Sequence, residues 1–77
     1  ADGCIINGRV EHSFIFRGVK IAKGATVKNC VIMQDARIDE GVYLENCILD
    51  TQAHIQKDGR LIGPKSYPIV ISKNMVI

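Results

Sequence analysis

A period of seventeen residues constrains this chain more than any other feature. Ser13-Phe14-Ile15 returns as Cys30-Val31-Ile32 and again as Cys47-Ile48-Leu49. Val19-Lys20-Ile21 returns as Ala36-Arg37-Ile38 and Ala53-His54-Ile55, while Gly24 and Asn29 return as Gly41 and Asn46. A finer rhythm runs inside the period. Apolar residues stand at Cys4, Val10, Ile15, Ile21, Val27, Ile32, Ile38, Leu44, Leu49, Ile55 and Leu61, in repeating steps of six, five and six. Two places before each comes a small or short side chain: Asp2, Gly8, Ser13, Val19, Ala25, Cys30, Ala36, Val42, Cys47, Ala53 and Gly59. In a strand, residues i and i−2 point to one face and i−1 to the other. Each hexad therefore supplies two inward residues, one outward residue and a corner. Three hexads, one corner shortened by a residue, close a triangular coil, and successive coils stack as parallel strands about 4.8 Å apart. The expected fold is an all-β parallel β-helix over residues 1–61, about three full coils, each touching only its neighbours.

Composition agrees with that reading. The chain has 12 Ile and 7 Val against 3 Leu, which favours strands and argues against a helical bundle. No apolar run approaches the roughly 20 residues of a membrane-spanning helix. The balance of 10 Lys/Arg against 8 Asp/Glu gives no field for nucleic acid or an anionic membrane. The N-terminus carries no secretion signal, so a cytoplasmic setting is expected. Gly24 and Gly41, with Asn7 and Asp58 in the same column, suit a corner of positive φ. Pro64 cannot donate to a ladder, so residues 62–68 read as an excursion. Ile69/Ile71 and Met75/Ile77 then restart the rhythm, making 62–77 an excursion followed by capping strands. The first coil has no cap, and the missing initiator Met points to a chain cut from a longer one. Periodicity leaves handedness open, since most parallel crossovers are right-handed. The hexapeptide pattern resembles the left-handed β-helix family, and left-handed is adopted on that resemblance.

Few residues announce chemistry. Cys30 and Cys47 share one inward column and read as small buried free thiols rather than a disulfide. No zinc spacing is present, and no metal is expected. His12 and His54 fall on different parts of the coil, which disfavours a three-histidine carbonic anhydrase site. His54 could serve as the general base of a hexapeptide acyltransferase, though no other residue supports it. Lys20, Arg37 and His54 form the outward column of one face, and Arg17 and Lys23 lie at its two corners. Such a cationic stripe is either a site for a phosphate-bearing effector or a solvated face balanced by Asp39. The adjacent face is apolar outside as well as inside. Its outward column is Phe14, Val31 and Ile48, with Phe16 and Met33 beyond, which reads as an interface.

These segments together resemble one family. Gly3-Cys4-Ile5-Ile6-Asn7-Gly8 and Val10 to Phe16, with Asn29-Cys30-Val31-Ile32-Met33 and Glu45 to Asp50, are similar to the C-terminal β-helix domain of glucose-1-phosphate adenylyltransferase (ADP-glucose pyrophosphorylase). Leu61-Ile62-Gly63 and Tyr67 to Ile71 resemble the end of that domain. Phe16 to Ile21 and Ile32-Met33-Gln34 lean toward its D-type, regulatory-like subunit. The resemblance implies a separate N-terminal catalytic domain that makes ADP-glucose and pyrophosphate from ATP and glucose 1-phosphate. ATP, Mg²⁺ and the catalytic residues belong to that domain, and none falls in this segment. It further implies that the β-helix packs on the catalytic domain, builds a homo- or hetero-tetramer and contributes to a sugar-phosphate effector site. In typical catalytic members, basic residues near the later coils help bind the effector. Here those neighbourhoods hold Glu45, Asn46 and Thr51, which suits a subunit that modulates a catalytic partner. The rival reading is a stand-alone acyltransferase or a passive oligomerisation module.

Overall fold

β-Branched residues at alternate positions, broken every few residues by corners, give strands of only two or three residues. A computed structural model describes residues 3–77; the inward place expected for Asp2 lies outside them. Twelve strands run in order: β1 Ile5–Ile6, β2 Arg9–Glu11, β3 Phe14–Ile15, β4 Lys20–Ile21, β5 Thr26–Lys28 and β6 Val31–Ile32. Then follow β7 Arg37–Ile38, β8 Tyr43–Glu45, β9 Cys47–Leu49, β10 His54–Ile55, β11 Arg60–Ile62 and β12 Ile69–Ile71. They form three parallel sheets, β1-β4-β7-β10, β2-β5-β8-β11 and β3-β6-β9-β12. The chain is a left-handed parallel β-helix, and no helix forms among the described residues.

The seventeen-residue register holds through the middle coils, with Lys20 opposite Arg37, Thr26 opposite Tyr43 and Val31 opposite Ile48. The core is the line of inward residues. Ile21, Ile38 and Ile55 stack from one sheet, Val27 and Leu44 from the second, Ile32 and Leu49 from the third, all buried. The short inward residues Val19, Ala25, Ala36, Val42 and Ala53 are buried beside them. Cys30 and Cys47 join that column as free, buried thiols. Cys30 Sγ donates to the Lys28 carbonyl at 3.1 Å and Cys47 Sγ to that of Glu45 at 3.3 Å. The adjoining Cys30 thiol, and after it burial, push the Cys47 thiol above its ordinary range. These thiols fill space.

Corners are turned by left-handed residues. Gly24, Gly41 and Asp58 have positive φ in one column, and Asn29 and Asn46 in another. Asn7 does not share that conformation, because the first coil departs from the pattern. Ile6, not Cys4, pairs with Ile21, and Ile5 pairs with Lys20, fifteen residues on. Cys4 takes the place level with Val19 instead. The first corner is therefore two residues shorter than its successors, and Gly8 makes that possible. A Cβ on Gly8 would lie 2.6 Å from the Ala25 carbonyl oxygen and 2.9 Å from that of Ala22. Both obstacles are backbone and cannot swing aside. Gly8→Ala should cost about 2 kcal/mol by denaturant unfolding, as other overpacked sites do. Hydrogen exchange should accelerate at Ile5 and Asn7, which donate to Val19 and Ile21, and stay unchanged in β7 and β10.

The far end also departs from expectation by one residue. Ile62 does not begin the excursion; it completes β11 and pairs with Glu45. The excursion spans 63–68, after which β12 resumes the third sheet with Ile69 opposite Cys47, a step of twenty-two residues. Five extra residues are thus absorbed without disturbing the stack. His54 bridges to Val76, and the backbone bonds joining His54 and Gln56 to Ile77 set Ile77 on the rung of Ile55.

Candidate functional site

The three outer faces differ in character, and that difference locates the candidate sites. On the second sheet, Tyr43 lies between Lys28 and Arg60, whose charged groups stand 5.7 and 4.9 Å from its ring centre. Its hydroxyl donates to Glu45 at 2.8 Å. This part of the face is polar and charged and suits water.

The third sheet is the opposite. Phe14, Val31 and Ile48 form one outward column, as register requires, and Val70 continues it as a fourth rung. Phe14 is 73% exposed and Val70 62%. Phe16, beside the column, is also exposed, while Val31, Met33 and Ile48 are half-buried by their neighbours. Tyr67, on the excursion that leads into β12, is exposed as well. Val70 escaped sequence reasoning because the insertion shifts its phase by five residues.

On the first sheet Lys20, Arg37 and His54 stand in one column, with Ile5 below and Val76 above. Arg17 sits at the preceding corner, where its carbonyl accepts from the Asp35 amide, and it does not line the groove beside Lys20. Lys23 lies exposed at the following corner. Asp39 organises the column. Its Oδ1 is 3.2 Å from Arg37 Nε and its Oδ2 is 2.8 Å from His54 Nε2. The expected balancing carboxylate therefore binds two members of the stripe and leaves Lys20 apart. A shallow groove beside Lys20 and Arg37 is floored by Ile5 and Ala22 and edged by Asn7 and Asp39. No group of three His, Cys, Asp or Glu among the described residues could hold a metal ion.

Comparison with known proteins fits this architecture. The chain belongs to the GlmU-like C-terminal hexapeptide family, which residues 1–66 match. It is 56% identical over 32 residues to the glucose-1-phosphate adenylyltransferase of Clostridium perfringens (strain SM101 / Type A), covering 42% of this chain and 8% of that protein. It is 63% identical over 27 residues to the "Glycogen biosynthesis protein GlgD" of Geobacillus stearothermophilus, covering 35% of this chain and 8% of that one. The glucose-1-phosphate adenylyltransferase of Desulforamulus reducens is 47% identical over 32 residues, again 42% of this chain and 8% of the relative. The matched stretch thus spans less than a tenth of each relative's length. No solved structure matches the chain.

Proposed function

We propose that this chain is the C-terminal β-helix of a glucose-1-phosphate adenylyltransferase-type subunit of glycogen synthesis, serving assembly and regulation. The observation that carries the reading is the outward column Phe14, Val31, Ile48 and Val70, since a free solenoid has no use for a sheet apolar on both sides. The relatives' names supply the setting, and their much greater length leaves room for a separate N-terminal domain. Adenylyl transfer from ATP to glucose 1-phosphate, with its Mg²⁺, belongs to that domain in the cytoplasm. The β-helix contributes a rigid apolar face against which a catalytic domain or another subunit packs, within a homo- or hetero-tetramer. Stacked coils deform little, so a shift at that face is passed along the sheet as a whole, and a sugar-phosphate effector can act through it.

Outward residues can be changed without touching the core. Val31→Lys combined with Ile48→Lys in the full-length subunit should weaken subunit association by at least about tenfold, because two charges would be desolvated at the contact. Sedimentation across a concentration series reads the effect. Unchanged tetramers at every concentration would remove the third sheet from the assembly.

A further inference from the structure

We propose that Asn7 is a self-modification site, where the main-chain nitrogen of Gly8 displaces the Asn7 side-chain amide as ammonia and turns this corner into aspartate and isoaspartate. The chemistry needs only water and does not depend on the assembly reading.

The first step is an intramolecular acyl transfer. The Gly8 nitrogen gives up its proton and bonds to Asn7 Cγ. The bond from Cγ to Nδ2 breaks, and ammonia leaves with the proton. A five-membered cyclic imide remains, and one water molecule opens it. Attack of water at Cγ restores the ordinary main chain and leaves an aspartate. Attack at the main-chain carbonyl leaves Gly8 bonded through Cγ, an isoaspartate whose main chain is one carbon longer. Three conditions favour ring closure: an exposed asparagine, a following residue with no Cβ to crowd the ring, and a following amide that no acceptor holds.

The first two conditions meet at one place. Of Asn7, Asn29, Asn46 and Asn74, only Asn7 precedes a glycine, and it is exposed. The third comes from the short first corner. Later coils cross this corner in four residues, 22–25 and 56–59, and the last amide closes a turn. Ala25 donates to the Ala22 carbonyl at 3.2 Å, and Gly59 to that of Gln56 at 3.1 Å. The first coil crosses in two residues, Asn7 and Gly8, between β1 and β2. The Asn7 amide donates to the Ile21 carbonyl at 2.9 Å and the Arg9 amide to that of Ala25 at 2.8 Å, the roles of Ala22 and Thr26 one coil on. Gly8 stands in the place of Ala25, but no such turn closes, and its amide meets no acceptor among the described residues. The other asparagines differ. The amide after Asn29 donates to Ser13 Oγ at 3.1 Å, and that after Asn74 to the Ser72 carbonyl at 3.1 Å. The Asn46 side chain is engaged with the Gly63 carbonyl.

The isoaspartate product has a structural consequence. It adds a carbon to a corner whose two ends are tied to the next coil by Asn7 and Arg9, and where Gly8 already lies against the Ala22 and Ala25 carbonyls. Those ties cannot all be kept, so β1 loosens from β4.

Asp58→Asn supplies an internal control, because it creates a second asparagine–glycine pair at a corner whose glycine amide is bonded. The folded 77-residue variant is incubated at mildly alkaline pH, digested at intervals, and read at positions 7 and 58 by mass spectrometry, beside a sample in urea. In urea the two positions should convert at matching rates. In the folded protein position 7 should convert about tenfold faster than position 58, which must first break one hydrogen bond. The parent chain keeps the test if the variant folds poorly: there Asn7 should convert in buffer as fast as in urea. Equal rates at the two positions of the folded variant, or an Asn7 that the folded parent protects, would overturn the site. The isoaspartate form, separated by ion exchange, should exchange its Ile5 and Arg9 amides about tenfold faster than the parent. Unchanged exchange there would overturn the loosening of β1.

Discussion

Replacing Asn46 with alanine should lower the unfolding free energy by about 3 kcal/mol, a large share of what a domain this small can have. Asn46 is the buried polar side chain of the core, 8% exposed, and it works with three of its groups at once. Its amide donates to the Lys28 carbonyl in the coil before, at 3.0 Å. Its Nδ2 donates to the Gly63 carbonyl at 2.7 Å, and its own carbonyl accepts from the Ile69 amide at 3.1 Å. Gly63 and Ile69 are the two feet of the excursion, so one side chain and one backbone carbonyl pin both. Alanine would leave the buried Gly63 oxygen without its donor, which costs about 1–3 kcal/mol. Asn46 also has φ 55, where alanine adds about 1 kcal/mol that asparagine largely escapes. Asn46→Gly should therefore be less harmful than Asn46→Ala by about 1 kcal/mol, since glycine accepts the conformation but lacks the donor. Urea unfolding of the two variants separates these contributions. Two variants equally damaged would remove the backbone share, and an alanine variant as stable as the parent would remove the latch altogether. The consequence reaches the outer face. If the feet come loose, β12 leaves the stack and takes Val70, the fourth rung of the apolar column, with it.

What the sequence made legible follows from how often the fold repeats a demand. An inward residue such as Ile38 meets the same surroundings as Ile21 and Ile55, so the rule is written several times and can be read from a single chain. The face holding Phe14, Val31 and Ile48 was legible for the same reason. Departures are written once. The short first corner was hidden because Cys4 is apolar and happens to fall six residues before Val10, while the true inward residue, Ile6, looked like part of the corner. Its signature was present in Gly8, at a place where a side chain would strike two carbonyl oxygens, but only the neighbouring coil reveals that clash. Pro64 marked the excursion without giving its length, which β12 fixes by pairing again at Ile69. On the first sheet, register alone aligned Lys20, Arg37 and His54. The bridge from Asp39 to Arg37 and His54 depends on where side chains turn after leaving the sheet, and no spacing encodes that.

Because the core is a column, the cost of cutting it should depend on height in the stack more than on residue type. Ile6, Ile21, Ile38, Ile55 and Ile77 occupy successive rungs of one sheet. Ile38 is 1% exposed with an isoleucine directly above and below, whereas Ile6 at the open end is 43% exposed with one neighbour. Ile38→Ala removes methyl groups from both coil interfaces and leaves a cavity that neither neighbour can fill, because each is held in its own hydrogen-bonded rung. The expected loss is about 4 kcal/mol, near the top of the range for isoleucine. Ile6→Ala strips surface already half in water and should cost about 1 kcal/mol or less. Nearest-neighbour coupling adds a second difference. A weakened end coil frays alone, so Ile6→Ala should leave the unfolding midpoint of β7 almost unmoved. A weakened centre separates the stack into two parts, each too small to stand, so Ile38→Ala should melt every coil together. Equal losses from the two substitutions would mean that the chain is stabilised as an undivided globule, and that the seventeen-residue period records sequence history without setting how stability is shared.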